Sequence, residues 1–343
     1  MKISIGTNIK DGPWGGGNLF AINFKNYLIN KGIQVVFDLK DNDIDIILLT
    51  EPRKTSPSSA FTNYDVLDYV TYINPDALVV HRVNECDEHK DTNFINKYIA
   101  YANKCADATV FVSSWIKDLY MQFEELKSKP HKVILAGANE NIFNPNNHSK
   151  WNKENKLKLV THHWSNNWNK GFDVYKELDN LLNKKGFSDK FEFSFIGRLP
   201  ENLIFQNINV IEPKVGEELA SALKQNDLYI TGTINEPSGN HHIEAAQCGL
   251  PIMYIDSGGV KEYCEGFGVE YNIENLENKI FEVYNNYEKY FERIKTYDKN
   301  ATKMCNEFLA FFNDLILKKS ILLKNRENKK KSWLKKIIYK FKI

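Results

Sequence analysis

The sequence predicts an α/β protein made of two tandem Rossmann-like, doubly wound domains. Three observations carry this expectation. Short apolar runs alternate with segments of helical period, the pattern of parallel β-α-β units. At 343 residues the chain exceeds what one hydrophobic core usually organises. Near the middle, residues 144–156 (NPNNHSKWNKENK) are polar, contain Pro145 and lack apolar period, so they read as a linker between two such series.

The first series opens with KISIGTN as a strand. NLFAINFKNYLINKG, with Leu19, Ile22, Phe24, Leu28 and Ile29, reads as the helix that follows. QVVFDL, DIILLT, ALVVHR, ATVFV and KVILA then supply buried strands up to about residue 136. After the linker come the strands LKLVTHH, FEFSFIG, INVIE, DLYIT and PIMYID, with GFDVYKELDNLLNKKG and GEELASALKQN as helices between them. HHIEAAQCG reads as a further helix, capped by Asn240 and ended by Gly249 ahead of Pro251. The expected domains are therefore 1–149, completed by a C-terminal helix near 303–318, and 150–302, with 319–343 as a basic amphipathic tail.

With 42% hydrophobic and 26% charged residues, the composition is that of a folded, soluble chain. The formal charge of +1 hides an asymmetry. Residues 316–343 hold 11 Lys or Arg and one acid, whereas residues 1–315 hold 34 bases against 43 acids. An acidic body argues against a broad nucleic-acid face, and no nucleic-acid partner is expected. Cys86, Cys105, Cys248, Cys264 and Cys305 are odd in number and lack a C-x-x-C pair, so free thiols in a reducing compartment are expected. MKISIGTNIKDGPWGGG resembles neither a signal peptide nor a membrane span, so a cytoplasmic body is expected.

Ligands of such sheets sit at the carboxyl ends of the strands, so the chemistry is sought in the loops there. In EPSGNHHIEAAQCGLP the helix start would leave the backbone N–H groups of His241, His242 and Ile243 unpaired, a natural anion site. Glu236 lies in the loop and Glu244 in the second helical turn. Two such acids could form a hydrolytic pair, but acids beside an anion-binding helix start are better suited to accepting hydroxyl hydrogens from a sugar or ribose. Lys170 precedes Gly171 at another helix start, where its ammonium either meets an anion or is an ordinary surface charge. Gly15, Gly16 and Gly17 allow close backbone approach to a ligand, although GPWGGGN is not the G-x-G-x-x-G order of a dinucleotide site. His81, Arg82 and Asn84 end another strand at the same edge, with a buried core role the alternative for His81. Trp164 and Trp168 either wall the site or pack. His162 and His163 face opposite sides of a strand, and His241 and His242 lie about 100° apart on a helix, so neither pair chelates and no metal is expected.

The stretch NEPSGNHHIEAAQCGLPIMYIDSGGVKE resembles the E-x7-E signature of retaining glycosyltransferases of family 4. Other segments are similar in the expected order: GPWGGGN to the family's glycine loop, VFVSSWIKD to its S-x-W/F segment, VILAGANENIFNP to N-G-V-D-x-x-x-F-x-P, and NKGFDVYKEL to its K-G motif. The resemblance covers roughly residues 1–315. It implies the GT-B fold, two Rossmann-like domains facing a central cleft, with the acceptor side in the first and the nucleotide-sugar donor side in the second. It also assigns roles. Glu244 would bind the ribose hydroxyls and Glu236 the transferred sugar, while Gly239 and Asn240 would offer loop amides to the diphosphate or sugar, with His241 beside them on the donor side. Gly16 and Gly17 would face the donor across the cleft, His81 would act at the donor sugar, and Lys214 of EPKVG would lie near the base. The family's arginine five residues before the lysine is replaced by Ser165, so Ser165, Asn166, Asn167 or Arg198 would have to complete the diphosphate clamp.

The function expected is metal-independent, cofactor-free, retaining transfer of a hexose-type sugar from a nucleoside diphosphate donor. The acceptor would be a glycan or lipid-linked hydroxyl, in cell-surface polysaccharide or lipopolysaccharide assembly. A sugar-nucleotide epimerase of the same fold, or a degenerate sugar-nucleotide or glycan binder, is the alternative. In the tail, SWLKKIIYKFKI places Trp333, Leu334, Ile337, Ile338 and Phe341 on one helical face and most lysines off it. That pattern fits either an interfacial helix on anionic lipid, making the protein peripheral to a membrane, or a solvated end.

Overall fold

The computed structural model describes residues 1–10, 12 and 15–326. The chain divides into two compact units, Met1–Leu135 together with the described residues from Met304 onward, and Ala136–Lys303. The expected tail lies outside the described residues from position 327.

The first unit contains β1 (Lys2–Ile5), β2 (Gln34–Val36), β3 (Ile46–Leu49), β4 (Leu78–Val83), β5 (Ala108–Phe111) and β6 (His131–Val133), all parallel in the order β2-β1-β3-β4-β5-β6. β3, β4 and β5 are buried at every position, as strands covered on both faces must be. The helix Gly16–Asn30 follows β1 and starts two residues earlier than expected, so Gly16 and Gly17 form its first turn rather than a loop. Asn18 helps to fix the start of the helix: its side-chain amide donates to the Lys10 carbonyl and accepts from the Lys10 N–H. Helix Ala301–Leu317 presents Met304, Phe308, Phe312 and Leu315 to the core of this unit, a spacing that lies on one helical face. Phe308 and Phe312 meet Phe24 with ring centres 5.3 and 5.9 Å apart.

The second unit contains β7 (Leu157–His163), β8 (Phe191–Gly197), β9 (Asn209–Ile211), β10 (Leu228–Thr231), β11 (Ile252–Tyr254) and β12 (Gly268–Glu270), parallel in the order β12-β11-β10-β7-β8-β9. The strand order reverses direction between β7 and β10, as it does between β1 and β3 in the first sheet. These are the places where the crossover helices part and leave a crevice at the strand ends. β12 was not expected, being three residues of modest strand character.

The segment read as a linker is part of this unit, which begins at Ala136 and not at residue 150. Trp151 is the reason. It is buried against Tyr284 and Tyr287, with ring centres 4.9 and 5.4 Å away, and its indole N–H donates to the Asn155 carbonyl. His148 pairs through Nε2 with the Asn226 carbonyl at 3.0 Å. One buried indole outweighs the polar composition around it. All five cysteines are buried and none is in a disulfide.

Candidate functional site

Of the predicted residues, the structure brings Lys170, Glu236, Gly239, Asn240, His241 and Glu244 together at the β7/β10 reversal of the second unit. After β7 the chain makes a short 3-10 turn, Trp168–Lys170, capped by Asn167, whose side chain accepts from the Asn169 N–H. Gly171 then takes φ 98°, ψ 26° ahead of helix Phe172–Leu182. A Cβ on Gly171 would lie 2.5 Å from the carbonyl carbon of Gly232, so the loops after β7 and β10 touch backbone to backbone. The Ile234 N–H donates to the Asn169 carbonyl, as does the Thr233 hydroxyl.

This contact sets the first functional pair. Lys170 Nζ donates to Glu236 Oε2 at 2.5 Å, and both side chains are largely buried. Thr233 Oγ1 lies 3.2 Å from the same oxygen, so its one hydroxyl hydrogen is shared between this carboxylate and the Asn169 carbonyl. The Glu236 carbonyl accepts from the Gly259 N–H at 2.8 Å, which ties the loop to the segment after β11.

The second pair joins β7 to the helix after β10. His162 Nε2 lies 2.9 Å from Glu244 Oε2, both side chains under a tenth exposed. That helix spans Asn240–Gln247, and Gly239, not Asn240, is its cap. Gly239 has φ 69°, and a Cβ there would sit 2.6 Å from His242 Cε1 and 2.9 Å from both Glu236 Cγ and His241 Cε1. The correction follows from crowding, because only glycine fits the position where the loop turns into the helix. The leading N–H groups are thereby those of Asn240, His241 and His242.

The imidazoles here face inward. His241 Nε2 lies 3.0 Å from Thr231 Oγ1, and its ring is 4.6 Å from that of His163 and 4.8 Å from that of His242. Burial pushes His242 down to about 4 and holds His163 and His241 well below the usual histidine range, so all three are neutral near pH 7. His241 thus offers a ligand its backbone N–H and not a charge. His162 Nδ1 and His242 Nε2 are buried without hydrogen-bond partners.

Tyr175, which sequence reasoning passed over, is the hub beneath Lys170. Its hydroxyl donates to the Lys170 carbonyl at 2.9 Å, accepts from the Gly232 N–H at 3.3 Å and lies 2.6 Å from His163 Nε2. A tyrosine on the apolar face of a helix looks like core, and the only signal was its place five residues after Lys170.

Other predicted residues lie elsewhere or serve locally. Ser165 Oγ accepts from the Asn167 N–H at 3.2 Å, and Asn166 is exposed beside it. Arg198, exposed after β8, carries its guanidinium 4.3 Å over the Trp164 ring. Lys214 lines an open groove of about 670 Å³ with Lys158, Glu192, Glu217 and Glu218, none of which belongs to the Glu236–Glu244 cluster. In the first unit Gly16 and Gly17 stand at the start of the helix after β1, with open space around Gly17. His81 is 1% exposed in β4, its Nδ1 3.0 Å from Asn103 Oδ1, and burial pushes it down to about 4. That is the core role, not a surface one: the buried Asn103 and Thr109 hold the ring inside the sheet. Arg82 is likewise buried, stacked 4.1 Å over Phe20. Among the described residues no group of three or more His, Cys, Asp or Glu is placed to hold a metal ion.

Residues 145–304 match the family model of glycosyl transferases group 1. The fold matches solved structures at low sequence identity. Sucrose-phosphate synthase from Thermosynechococcus elongatus superposes with a TM-score of 0.63 at 14% identity, over 92% of this chain and 99% of that one. The Anabaena protein HepE, in complex with UDP and glucose, gives 0.66 at 15% identity over 92% and 100%. A glycosyltransferase from Rickettsia africae gives 0.64 at 14% identity over 92% and 98%. No curated protein matches the chain by sequence. These likenesses establish the fold, and the family match across nearly all of the second unit supports a glycosyltransferase of the GT-B fold.

Proposed function

We propose that the chain is a retaining glycosyltransferase that moves a hexose-type sugar from a nucleoside diphosphate donor to a hydroxyl of a glycan or lipid-linked acceptor. The observation that carries the reading is the convergence of Lys170–Glu236 and His162–Glu244 on one helix start at the reversal point of the second sheet. Glu244, oriented by His162, accepts from the ribose hydroxyls. Glu236 accepts from the transferred sugar. Lys170 and the N–H groups at Asn240–His242 meet the charge that grows on the diphosphate as the glycosidic bond lengthens. Transfer then proceeds on the front face: the bond from the anomeric carbon to the diphosphate breaks, the acceptor oxygen bonds to that carbon, and its proton passes to the leaving phosphate oxygen.

Arg198 is our candidate for the second cation of the clamp, because it follows β8, the neighbour of β7, and stacks on Trp164 next to Ser165. HepE has been solved with UDP-glucose, which makes UDP-glucose the first donor to try. Because the diphosphate charge is met by protein groups, turnover should persist in EDTA.

The test is a thermal-shift panel of UDP, GDP and ADP with their common sugars, run in EDTA on wild type and Glu244→Gln. Ligand at about 100 times its Kd should add about 2.7 kcal/mol, a shift of several degrees. One nucleotide should stabilise wild type and fail with the variant. A panel without any shift, or a shift that survives Glu244→Gln undiminished, would overturn the assignment.

A further inference from the structure

Two of the three most exposed large apolar side chains among the described residues are Leu317, 85% exposed, and Ile321, 62% exposed. They lie four residues apart where helix Ala301–Leu317 passes through Lys318 (φ −93°, ψ 4°) into helix Lys319–Asn325. The turn is nearly continuous, since the N–H groups of Ile321 and Leu322 both donate to the Lys318 carbonyl. The two side chains therefore share one face, while Leu315 and Leu322 are buried in the core of the first unit. Around the exposed pair stand Lys318, Lys319 and Lys324, and Asp314, the acid of this stretch, is ion-paired to Lys318 at 2.8 Å. An apolar pair ringed by lysines, with inward packing already satisfied, has the chemistry of an interfacial contact rather than of a core.

Arg326, which follows the shoulder, is held in place. Arg326 Nε donates to Asp107 Oδ1 at 2.9 Å and Nη2 to Asp107 Oδ2 at 2.5 Å. Nη1 reaches the Pro75 carbonyl at 2.8 Å and Nη2 the Ala77 carbonyl at 2.6 Å. Pro75 and Ala77 precede β4 and Asp107 precedes β5, so the anchor sits at the amino ends of the strands, opposite the edge where ligands of such sheets bind. At the same edge Asp41 and Asp43 are paired with Lys2, which limits the negative field there. After Arg326 the sequence holds seven lysines and one acid, with Trp333, Leu334, Ile337, Ile338 and Phe341 at helical spacing.

We infer that Leu317, Ile321 and the lysines beside them form a docking shoulder for an anionic lipid surface. The occupant is a bilayer of net negative headgroup charge: lysines near such a surface contribute by attraction and the apolar pair by insertion. The inference does not rest on sugar transfer. Its consequence is that the first unit meets the membrane with the amino ends of its strands.

The experiment is sedimentation of the full chain with vesicles of phosphatidylcholine alone and of phosphatidylcholine with phosphatidylglycerol, at low salt. Wild type should pellet with the anionic vesicles and stay in solution with the neutral ones. Leu317→Ser/Ile321→Ser should weaken the partition roughly tenfold, and Lys318→Gln/Lys319→Gln/Lys324→Gln roughly a hundredfold, both at unchanged melting temperature. Pelleting that the Leu317/Ile321 variant leaves untouched would overturn the shoulder and assign binding to the tail alone. Failure of wild type to pellet, or equal pelleting with neutral vesicles, would overturn lipid docking. A lipid-free dimer dissolved by the same double substitution would replace the bilayer by a second copy of the chain.

Discussion

Gly239→Ala adds one methyl group at a crowded point of the site. Its Cβ would meet His242 Cε1 at 2.6 Å and Glu236 Cγ and His241 Cε1 at 2.9 Å. Neither ring can yield easily: His242 is fully buried 5.5 Å from the Tyr263 ring, and His241 is bonded to Thr231. A Cβ at φ 69° costs about 1–2 kcal/mol, and overpacking a tight interior costs about 1–3 kcal/mol. The expected loss is about 2–5 kcal/mol, which in a unit of this size lowers Tm by roughly 5–15 °C. Gly17→Ala is the control. It sits in the first turn of a helix with nothing within 4 Å of the added carbon, so it should be neutral or raise stability by about 0.5–1 kcal/mol. Circular-dichroism melts of the two variants decide the matter. A Gly239→Ala protein that melts within about 2 °C of wild type would refute the packing argument and with it the account of why Asn240 is not the cap. Should Gly17→Ala keep its stability but lose turnover, the missing space would belong to a ligand.

Removing Lys170 leaves Glu236 in a largely buried loop without its cation, so Lys170→Met should cost about 3–5 kcal/mol, whereas Lys170→Met/Glu236→Gln should recover about 1–3 kcal/mol of it. Urea denaturation gives the cycle, and additive losses would mean that the two groups do not interact. Acid should destabilise the protein early. His81, His163, His241 and His242 are held below their ordinary range by burial, so the unfolded chain takes up protons that the folded one refuses, and stability present above about pH 6.5 is lost as pH falls towards about 4, where His81 and His242 titrate. Each such histidine contributes a slope of about 1.4 kcal/mol per pH unit. Asp227, pushed up to about 6 by burial, works with the opposite sign and offsets roughly one proton. Tm measured from pH 8 to pH 4.5 should fall below pH 6.5, and a flat profile would contradict the buried neutral imidazoles.

The strands were legible because parallel strands covered on both faces are continuous apolar runs, and IILL, ATVF and LYIT cannot be placed elsewhere. What composition could not convey was the exception inside a polar stretch. Trp151 alone turns residues 144–156 from a linker into part of a core. Glycine's poor helix propensity hid the first turn of helix Gly16–Asn30, and asparagine's preference for caps drew Asn240 into a place that sterics reserve for Gly239. In the site, Glu236 and Lys170 carried recognisable chemistry, but their direct pairing across 66 positions depends on which loops the sheet order makes neighbours. Strand alternation told that His162 and His163 point apart, not that one would find Glu244 and the other Tyr175.

The arrangement bears on what the two acids are for. Glu236 and Glu244 both belong to the connection after β10, and each is held by a donor from β7 or its loop: Lys170 for one, His162 for the other. The strand reversal therefore does more than open a crevice. It sets two carboxylates from one element against two donors from its neighbour, so that neither acid must reorganise to accept further hydrogens. A hydrolytic pair would need one acid in surroundings that favour its proton-bearing form. Glu236 instead lies in an ion pair, 2.5 Å from Lys170 Nζ. A metal pair would need the acids aimed at one point with further ligands around it, whereas His241, His163 and His162 face Thr231, Tyr175 and Glu244. Two fixed acceptors beside a helix start are instead suited to grip one polyhydroxylated anion at two places. In the function proposed above, that anion is the sugar nucleotide.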